Sequence, residues 1–264
     1  MKLTAINKYP VKSLKGLSLD SSLIDEFGIE NDRRWMLVDS DGRFVTQRKH
    51  PIMGTIAVED RDGLLRFTSA EGSVLDVQAG DFVNSIDAQV WSDNIVALGA
   101  GDAISGWFSE LLGTPVNLVY MPDSTFRQVD RNYADYKQRV GFADGFPFLL
   151  ISEASLEDLN SRLDSPVAMS RFRPNLVVTG CDAFEEDSWQ LIRIGDIEFE
   201  LVKPCSRCIM TTIDEVSLNY GKEPLKTLAT YRRNDYGVCF GQNLVHQNQG
   251  VLSVGANVEV LKRL

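Results

Sequence analysis

Lys203-Pro204-Cys205-Ser206-Arg207-Cys208-Ile209-Met210-Thr211-Thr212-Ile213-Asp214 follows a strand-like run, Ile197 to Val202, and gathers two thiols, an arginine and three hydroxyls into twelve positions. No other stretch of the chain is as dense in groups that bind metals or anions. A reactive Cys-x-x-Cys dithiol normally opens a helix whose N-terminus lowers the thiol pKa. The β-branched Ile209, Thr211, Thr212 and Ile213 argue against a helix here. A structural zinc would need Cys181 and Cys239 or His246 to join Cys205 and Cys208, and these are scattered instead of forming a second close pair. Two readings stay open: one thiolate ligand to a metal cofactor, or two buried thiols acting as small apolar side chains.

Working outward, residues 1 to about 95 read as short β-branched or alternating runs broken by turns: Leu3 to Lys8, Trp35 to Asp39, Phe44 to Gln47, Thr55 to Glu59 and Leu64 to Thr68. Asp41-Gly42 between Trp35 to Val38 and Phe44-Val45 predicts a hairpin. Ile104, Trp107, Phe108, Leu111 and Leu112 form one apolar stripe, which predicts a helix over Asp102 to Leu112 stopped by Gly113. A second helix is expected from Ser155 to Leu163, capped by Ser152 or Ser155, and a third from Pro224. Further strands are expected at Leu176 to Thr179, Leu191 to Ile194, Ile197 to Val202, Thr211 to Ile213, Val251 to Val254 and Val258 to Leu261. The fold class is therefore α+β and β-rich. The change of composition near residue 115 predicts two closely packed domains, 1–115 and 116–264, since no linker or repeat intervenes.

The 264 residues, 44% hydrophobic and 24% charged, are too apolar for disorder. A net charge of -10 disfavours a nucleic-acid polymer as partner. No apolar run nears the roughly 20 residues of a bilayer span, and the start shows no signal-peptide core, so a cytoplasmic location off the membrane is expected. The phosphate-loop, dinucleotide, esterase and zincin motifs are absent. Against the acidic background, Lys12-Ser13, Arg33-Arg34 and Arg171-Phe172-Arg173-Pro174-Asn175 set cations among apolar residues, which an anionic ligand would explain. Each alone also fits a solvated or ion-paired structural role. Gly141 to Ile151 puts a turn of small residues before an apolar strand, either as ligand approach or as ordinary connection. His50 and His246, the only histidines, read as structural.

Together, Tyr9-Pro10-Val11-Lys12-Ser13, Asp32-Arg33-Arg34-Trp35, Ser152-Glu153-Ala154-Ser155-Leu156, Phe172-Arg173-Pro174-Asn175 and Cys205-Ser206-Arg207-Cys208 resemble the MOSC family, in the branch with an N-terminal β-barrel. The resemblance covers nearly the whole chain and implies a β-barrel-like N-terminal domain packed on a MOSC β-barrel. It implies a molybdenum-molybdopterin cofactor whose metal takes one protein thiolate, at Cys208, with Cys205 a neighbour. Lys12, Ser13, Arg33 and Arg207 would meet the pterin phosphate through charge-assisted hydrogen bonds. Arg173, Asn175, Ser206 and Asn243 would line the cofactor, and Asp144, Gly145 and Phe146 would sit in a loop closing over it. The implied enzyme is a molybdenum-dependent oxidoreductase that reduces N-hydroxylated compounds, hydroxylaminopurines and amidoximes, to amines and amidines. As the sequence ends at Leu264 without an iron-sulfur cysteine cluster, electrons are expected from a separate ferredoxin or flavin reductase. Asp214 is either a proton donor or, preferably, a turn-forming aspartate. The competing classes are a sulfur carrier with a persulfide on Cys208 and a zinc-stabilised binding domain.

Overall fold

The strand Ile197–Ser206, which carries Cys205 at its end, runs antiparallel between Trp189–Ile194 and Gly237–His246 in the computed structural model, which describes residues 1–61, 63–135 and 137–264. The sheet continues on one side to Val258–Arg263. On the other it runs through Phe148–Ser152, Leu176–Thr179 and Lys2–Lys8 to Leu17–Leu19. Phe148–Ser152 and Leu176–Thr179 are parallel, and the helix Glu153–Ser161 lies in the crossover between them, as parallel pairing requires.

The first strand therefore belongs to the sheet of the second half. Leu3 and Ile6 are buried with Phe148, Leu150, Phe199 and Leu244. Ser21–Asp25 likewise pairs with Gly250–Ser253. In exchange, Asn117–Tyr120 completes a four-stranded sheet with Trp35–Val38, Asp93–Ala100 and Phe82–Val90. A cut near residue 115 thus falls between strands but separates partners that pair within the same sheets. A three-stranded sheet, Ala57–Arg61, Leu64–Thr68 and Val74–Gln78, adds Phe67 to a core filled by Ile104, Phe108 and Leu112 of the helix Asp102–Leu112. The class is α+β and β-rich as expected, but the sheets are open paths, not closed barrels.

The helix Asp102–Leu112 has its predicted bounds, and Gly113 ends it in the left-handed conformation (φ 65°). The helix Glu153–Ser161 starts and stops earlier than expected, because the hydroxyl of Ser152 accepts from Ser155 N at 3.1 Å and caps it. Pro224 immediately precedes Leu225–Tyr231. Gly42 (φ 77°) makes the expected turn, but Phe44 to Gln47 is not a strand. The backbone there divides its bonds, Phe44 N to Gln89 O and Val45 N to Leu37 O, between two neighbours. Thr211 to Ile213 is not a strand either; Ile209–Thr212 forms a 3-10 turn, so β-branching excluded an α-helix without enforcing extension. Among the described residues no helix is long and apolar enough to cross a membrane.

Candidate functional site

A bulge aims the two thiols differently. The pairing of Ile197–Ser206 with Gly237–His246 slips between Leu201 and Lys203 and again between Pro204 and Ser206. Asn243 donates from Nδ2 to the carbonyls of Lys203 (3.2 Å) and Pro204 (3.4 Å), pinning the irregular backbone. Beyond it, Cys205 packs at the edge of the cluster containing Phe172 and Phe240, while Cys208 is exposed at the start of the 3-10 turn. Cys205 is half-buried and Cys208 exposed, so the reading of two buried thiols does not hold.

Cys208 opens on a cavity of about 160 Å³ lined by Lys12, Ser13, Arg33, Asp144, Gly145, Phe146, Arg173, Asn175, Ser206, Arg207 and Asn243. These are all the candidates except Asp214. Thr46, Arg48, Arg171 and Met210 join them. Six cationic side chains thus face one carboxylate, Asp144, in a protein whose net charge is -10. Concentrating like charges this way costs free energy unless an anion neutralises them.

Three of the six have carboxylate partners. Lys12 Nζ donates to Asp144 Oδ1 (2.5 Å) and to Phe142 O (2.8 Å). Burial pulls the Lys12 ammonium below its ordinary value, and Asp144 opposes that pull. The protein around Asp144 acts to raise its pKa, but the Lys12 ammonium and the Trp91 indole N–H outweigh this and hold the carboxyl well below the usual range. Arg33 is paired with Asp32, and Arg171 with Asp214 at 3.0 Å. Arg48, Arg173 and Arg207 form no salt bridge among the described residues. Arg207 donates to Cys205 Sγ (3.0 Å) and Phe172 O (2.6 Å), and its Nε is buried without a partner. Burial takes the Arg173 guanidinium down to about 10, so it stays charged at neutral pH. Arg34, the neighbour of Arg33, turns away to Met121 and Asp123 and is structural.

The cations are set by a buried polar hub. Asn175, 1% exposed, receives Arg33 Nη1 on Oδ1 (2.9 Å) and donates from Nδ2 to Asn7 O and Asp32 Oδ2. Asp32 accepts from Tyr9 N at 2.7 Å. The Tyr9 ring lies 4.3 Å from the Arg33 guanidinium and 4.2 Å from that of Arg173. The loop bearing Asp144 is held from behind by Arg127, which donates to the carbonyls of Gly141 (2.8 Å), Ala143 (2.6 Å) and Asp144 (3.3 Å). Sequence reasoning missed Tyr9 as more than part of a motif, and missed Arg48 and Arg127, because an arginine among loop residues carries no mark of its partner. Ser13, Arg33 and Arg173 all have left-handed backbones (φ 68°, 48° and 55°), unusual for residues with side chains. Three such residues around one cavity are the kind of strain that functional sites retain.

Asp214 stands apart. Its Oδ1 accepts from Val216 N, Ser217 N and Ser217 Oγ, the pattern of a turn-forming aspartate. Hydrogen bonds from Ser217 chiefly keep its pKa below the ordinary value, which disfavours a proton-donating role at neutral pH. The zinc reading fails on geometry: among the described residues no three His, Cys, Asp or Glu side chains converge as a ligand set. His246 is buried against the Phe148 ring, and burial favours its neutral form. The cavity does fit a phosphorylated ligand with a soft metal: it offers an exposed thiol, a surplus of cations and a buried guanidinium nitrogen lacking a partner.

Most of the chain is similar to known proteins. The MOSC N-terminal beta barrel domain matches residues 1–115, and the MOSC domain matches residues 137–259. Human mitochondrial amidoxime-reducing component 1 is 35% identical over 272 residues, covering 96% of this chain and 81% of that protein. Bovine mitochondrial amidoxime reducing component 2 is 36% identical, covering 86% and 71%. A molybdenum cofactor sulfurase of rice is 36% identical over 90% of this chain but only 32% of its own length. Among solved structures, YiiM of Geobacillus stearothermophilus aligns with a TM-score of 0.35 and 15% identity over 44% of this chain and 55% of its own.

Proposed function

The chain belongs to the MOSC family, and from that premise we propose that its cation-lined cavity holds a molybdenum-molybdopterin cofactor, with Cys208 as the protein thiolate to the metal. The observation that carries this reading is an exposed thiol at a cavity with six cationic side chains on an acidic protein. The proposed reaction reduces an N-hydroxylated base or amidoxime: two electrons and two protons convert the N–OH group to N–H and release water. The electrons come from a separate donor protein of ferredoxin or flavin-reductase type.

When bound, the molybdenum centre supplies the two-electron redox chemistry. The protein's own contribution is binding and orientation. Lys12, Ser13, Arg33 and Arg207 hold the phosphate, each charge-assisted bond contributing on the order of 1.5 to 3 kcal/mol. Arg173, Asn175, Ser206 and Asn243 shape the wall, and Gly145 and Phe146 form the loop over it. Asp144 remains a carboxylate beside Lys12, so it orders that ammonium and is not a proton source at neutral pH.

The test is molybdenum and pterin analysis of wild type and Cys208→Ala purified from cells that make the cofactor. We expect near-stoichiometric metal in the wild type and at least a tenfold loss in the variant. Equal molybdenum in both would remove Cys208 from the site. A metal-free wild type with sulfane sulfur on Cys208 would favour the persulfide carrier instead.

A further inference from the structure

Arg33 and Arg173 put two guanidinium groups on one aromatic ring. Arg33 CZ is 4.3 Å and Arg173 CZ 4.2 Å from the centre of Tyr9. Tyr9 is 5% exposed, and its hydroxyl donates to Pro174 O at 3.2 Å. Burial holds that hydroxyl above its ordinary value of 10, so the ring carries no charge of its own at neutral pH. Arg33 has Asp32 as counter-ion, whereas among the described residues the Arg173 side chain donates only to a backbone carbonyl, Leu14 O at 2.8 Å. Arg33 disfavours the charge on Arg173, and a π-face offers both a compensating attraction without consuming a guanidinium N–H. The N–H groups not already given to Asp32, Asn175, Arg173 O and Leu14 O remain available for a ligand.

The ring's place depends on Gly16. A Cβ on Gly16 would lie 2.3 Å from Tyr9 Cε1 and 2.6 Å from Cδ1, so only glycine lets the ring pack there. Gly16 and Tyr9 also line a larger neighbouring groove, which shares Arg171, Arg173 and Met210 with the site cavity. The aromatic ring is thus the partition against which both guanidiniums are held.

We propose that Tyr9 is a positioning residue whose π-face fixes Arg33 and Arg173 as a paired receptor for a phosphoryl group. The inference concerns anion recognition and deepens the reading above by adding Arg173, there only part of the wall, to the groups that meet the phosphate; it survives on its own if the protein binds phosphate but not molybdenum.

The experiment compares wild type, Tyr9→Phe, Tyr9→Leu and Gly16→Ala as full-length chains. Calorimetric titration of cofactor-free protein with inorganic phosphate reads the receptor, molybdenum and pterin content after purification reads retention, and thermal unfolding reads the fold. Tyr9→Phe keeps the π-face and should bind phosphate as wild type does. Tyr9→Leu, which keeps bulk without a π-face, should weaken binding roughly tenfold, as two desolvated cation–π contacts are lost. Gly16→Ala should weaken it comparably by displacing the ring, and it carries the test if Tyr9→Leu does not fold. Wild-type affinity in Tyr9→Leu overturns the proposal, or in Gly16→Ala if Tyr9→Leu cannot be read. So does a loss in Tyr9→Phe as large as in Tyr9→Leu, which would assign the effect to the hydroxyl. No phosphate binding by wild type also overturns it. A wild type that binds phosphate yet retains no molybdenum defeats the cofactor reading alone.

Discussion

Gly141 meets the backbone of Arg33 with no room between them: a Cβ on Gly141 would sit 2.6 Å from the Arg33 carbonyl oxygen and 3.1 Å from that of Asp32. Phe142 N donates to the same Arg33 carbonyl at 2.6 Å. The loop that carries Asp144 is thereby anchored on the turn that carries Arg33. Gly141→Ala must separate the two backbones, and we expect a stability loss of about 1 to 3 kcal/mol by urea unfolding. Cofactor content should fall as well, since Asp144, Gly145 and Phe146 move with the anchor. Unchanged stability would mean that the backbones part without strain.

The Lys12–Asp144 pair makes stability depend on acid. The folded-state pKa of Asp144 lies below its ordinary 3.8, so its contribution is present above that value and is lost as pH falls through the folded pKa. Asp144→Asn should lower stability near pH 7 by about 1 kcal/mol, because the buried Lys12 ammonium loses its charged acceptor, an effect that solvent screens at the exposed Asp144 side chain. The gap between variant and wild type should narrow as pH drops below 3.8. Urea midpoints at pH 7, 4.5 and 3 measure this, and a constant gap would disprove the linkage.

Asp214→Asn should leave cofactor content and turnover within about twofold of wild type, because the carboxylate serves a turn and is itself no part of the cavity wall, which it meets only through its ion pair with Arg171. Steady-state kinetics with an amidoxime and an artificial reductant tests it. A hundredfold fall in kcat at full molybdenum loading would return Asp214 to proton transfer.

The local signals were read well where a segment's neighbours in sequence decide its shape. The stripe over Asp102–Leu112 and Gly113 behind it needed no distant partner, and Leu176–Thr179 was legible as a β-branched run. Lys2–Lys8 was legible as a strand, but nothing in it says that it pairs with Leu176–Thr179, some 170 residues away. Gly237–His246 was unread because Gly237, Gly241, Gln242 and Asn243 break its apolar run. Gly241 is there for a different reason: its left-handed backbone (φ 81°) passes within 2.7 Å, at the Cβ position, of Leu150 O. The cavity's cations were visible as residues out of place in an acidic chain. Their division of labour was not: Arg33 faces the cavity and Arg34 does not, and adjacent positions in a turn look alike until the chain is folded.

Glu186 makes the opposite pH prediction. It is 1% exposed, with no salt bridge among the described residues, and accepts from Ser152 N (3.2 Å), Ser152 Oγ (3.0 Å) and Ser155 Oγ (2.7 Å) at the start of the helix Glu153–Ser161. Burial raises its pKa above the ordinary 4.5 despite those bonds. The folded state therefore binds more protons than the unfolded chain in the window above 4.5, and stability falls as pH rises through it. Glu186→Gln removes the ionisation and keeps one carbonyl acceptor for the serines. Its stability should vary less with pH between about 4.5 and 7 than that of wild type, with the two curves diverging most at the acidic end, where the wild-type carboxyl is protonated and can itself donate. Parallel curves across that range would mean that Glu186 ionises as freely in the folded protein as in the unfolded one, and that its three donors, not its burial, govern it.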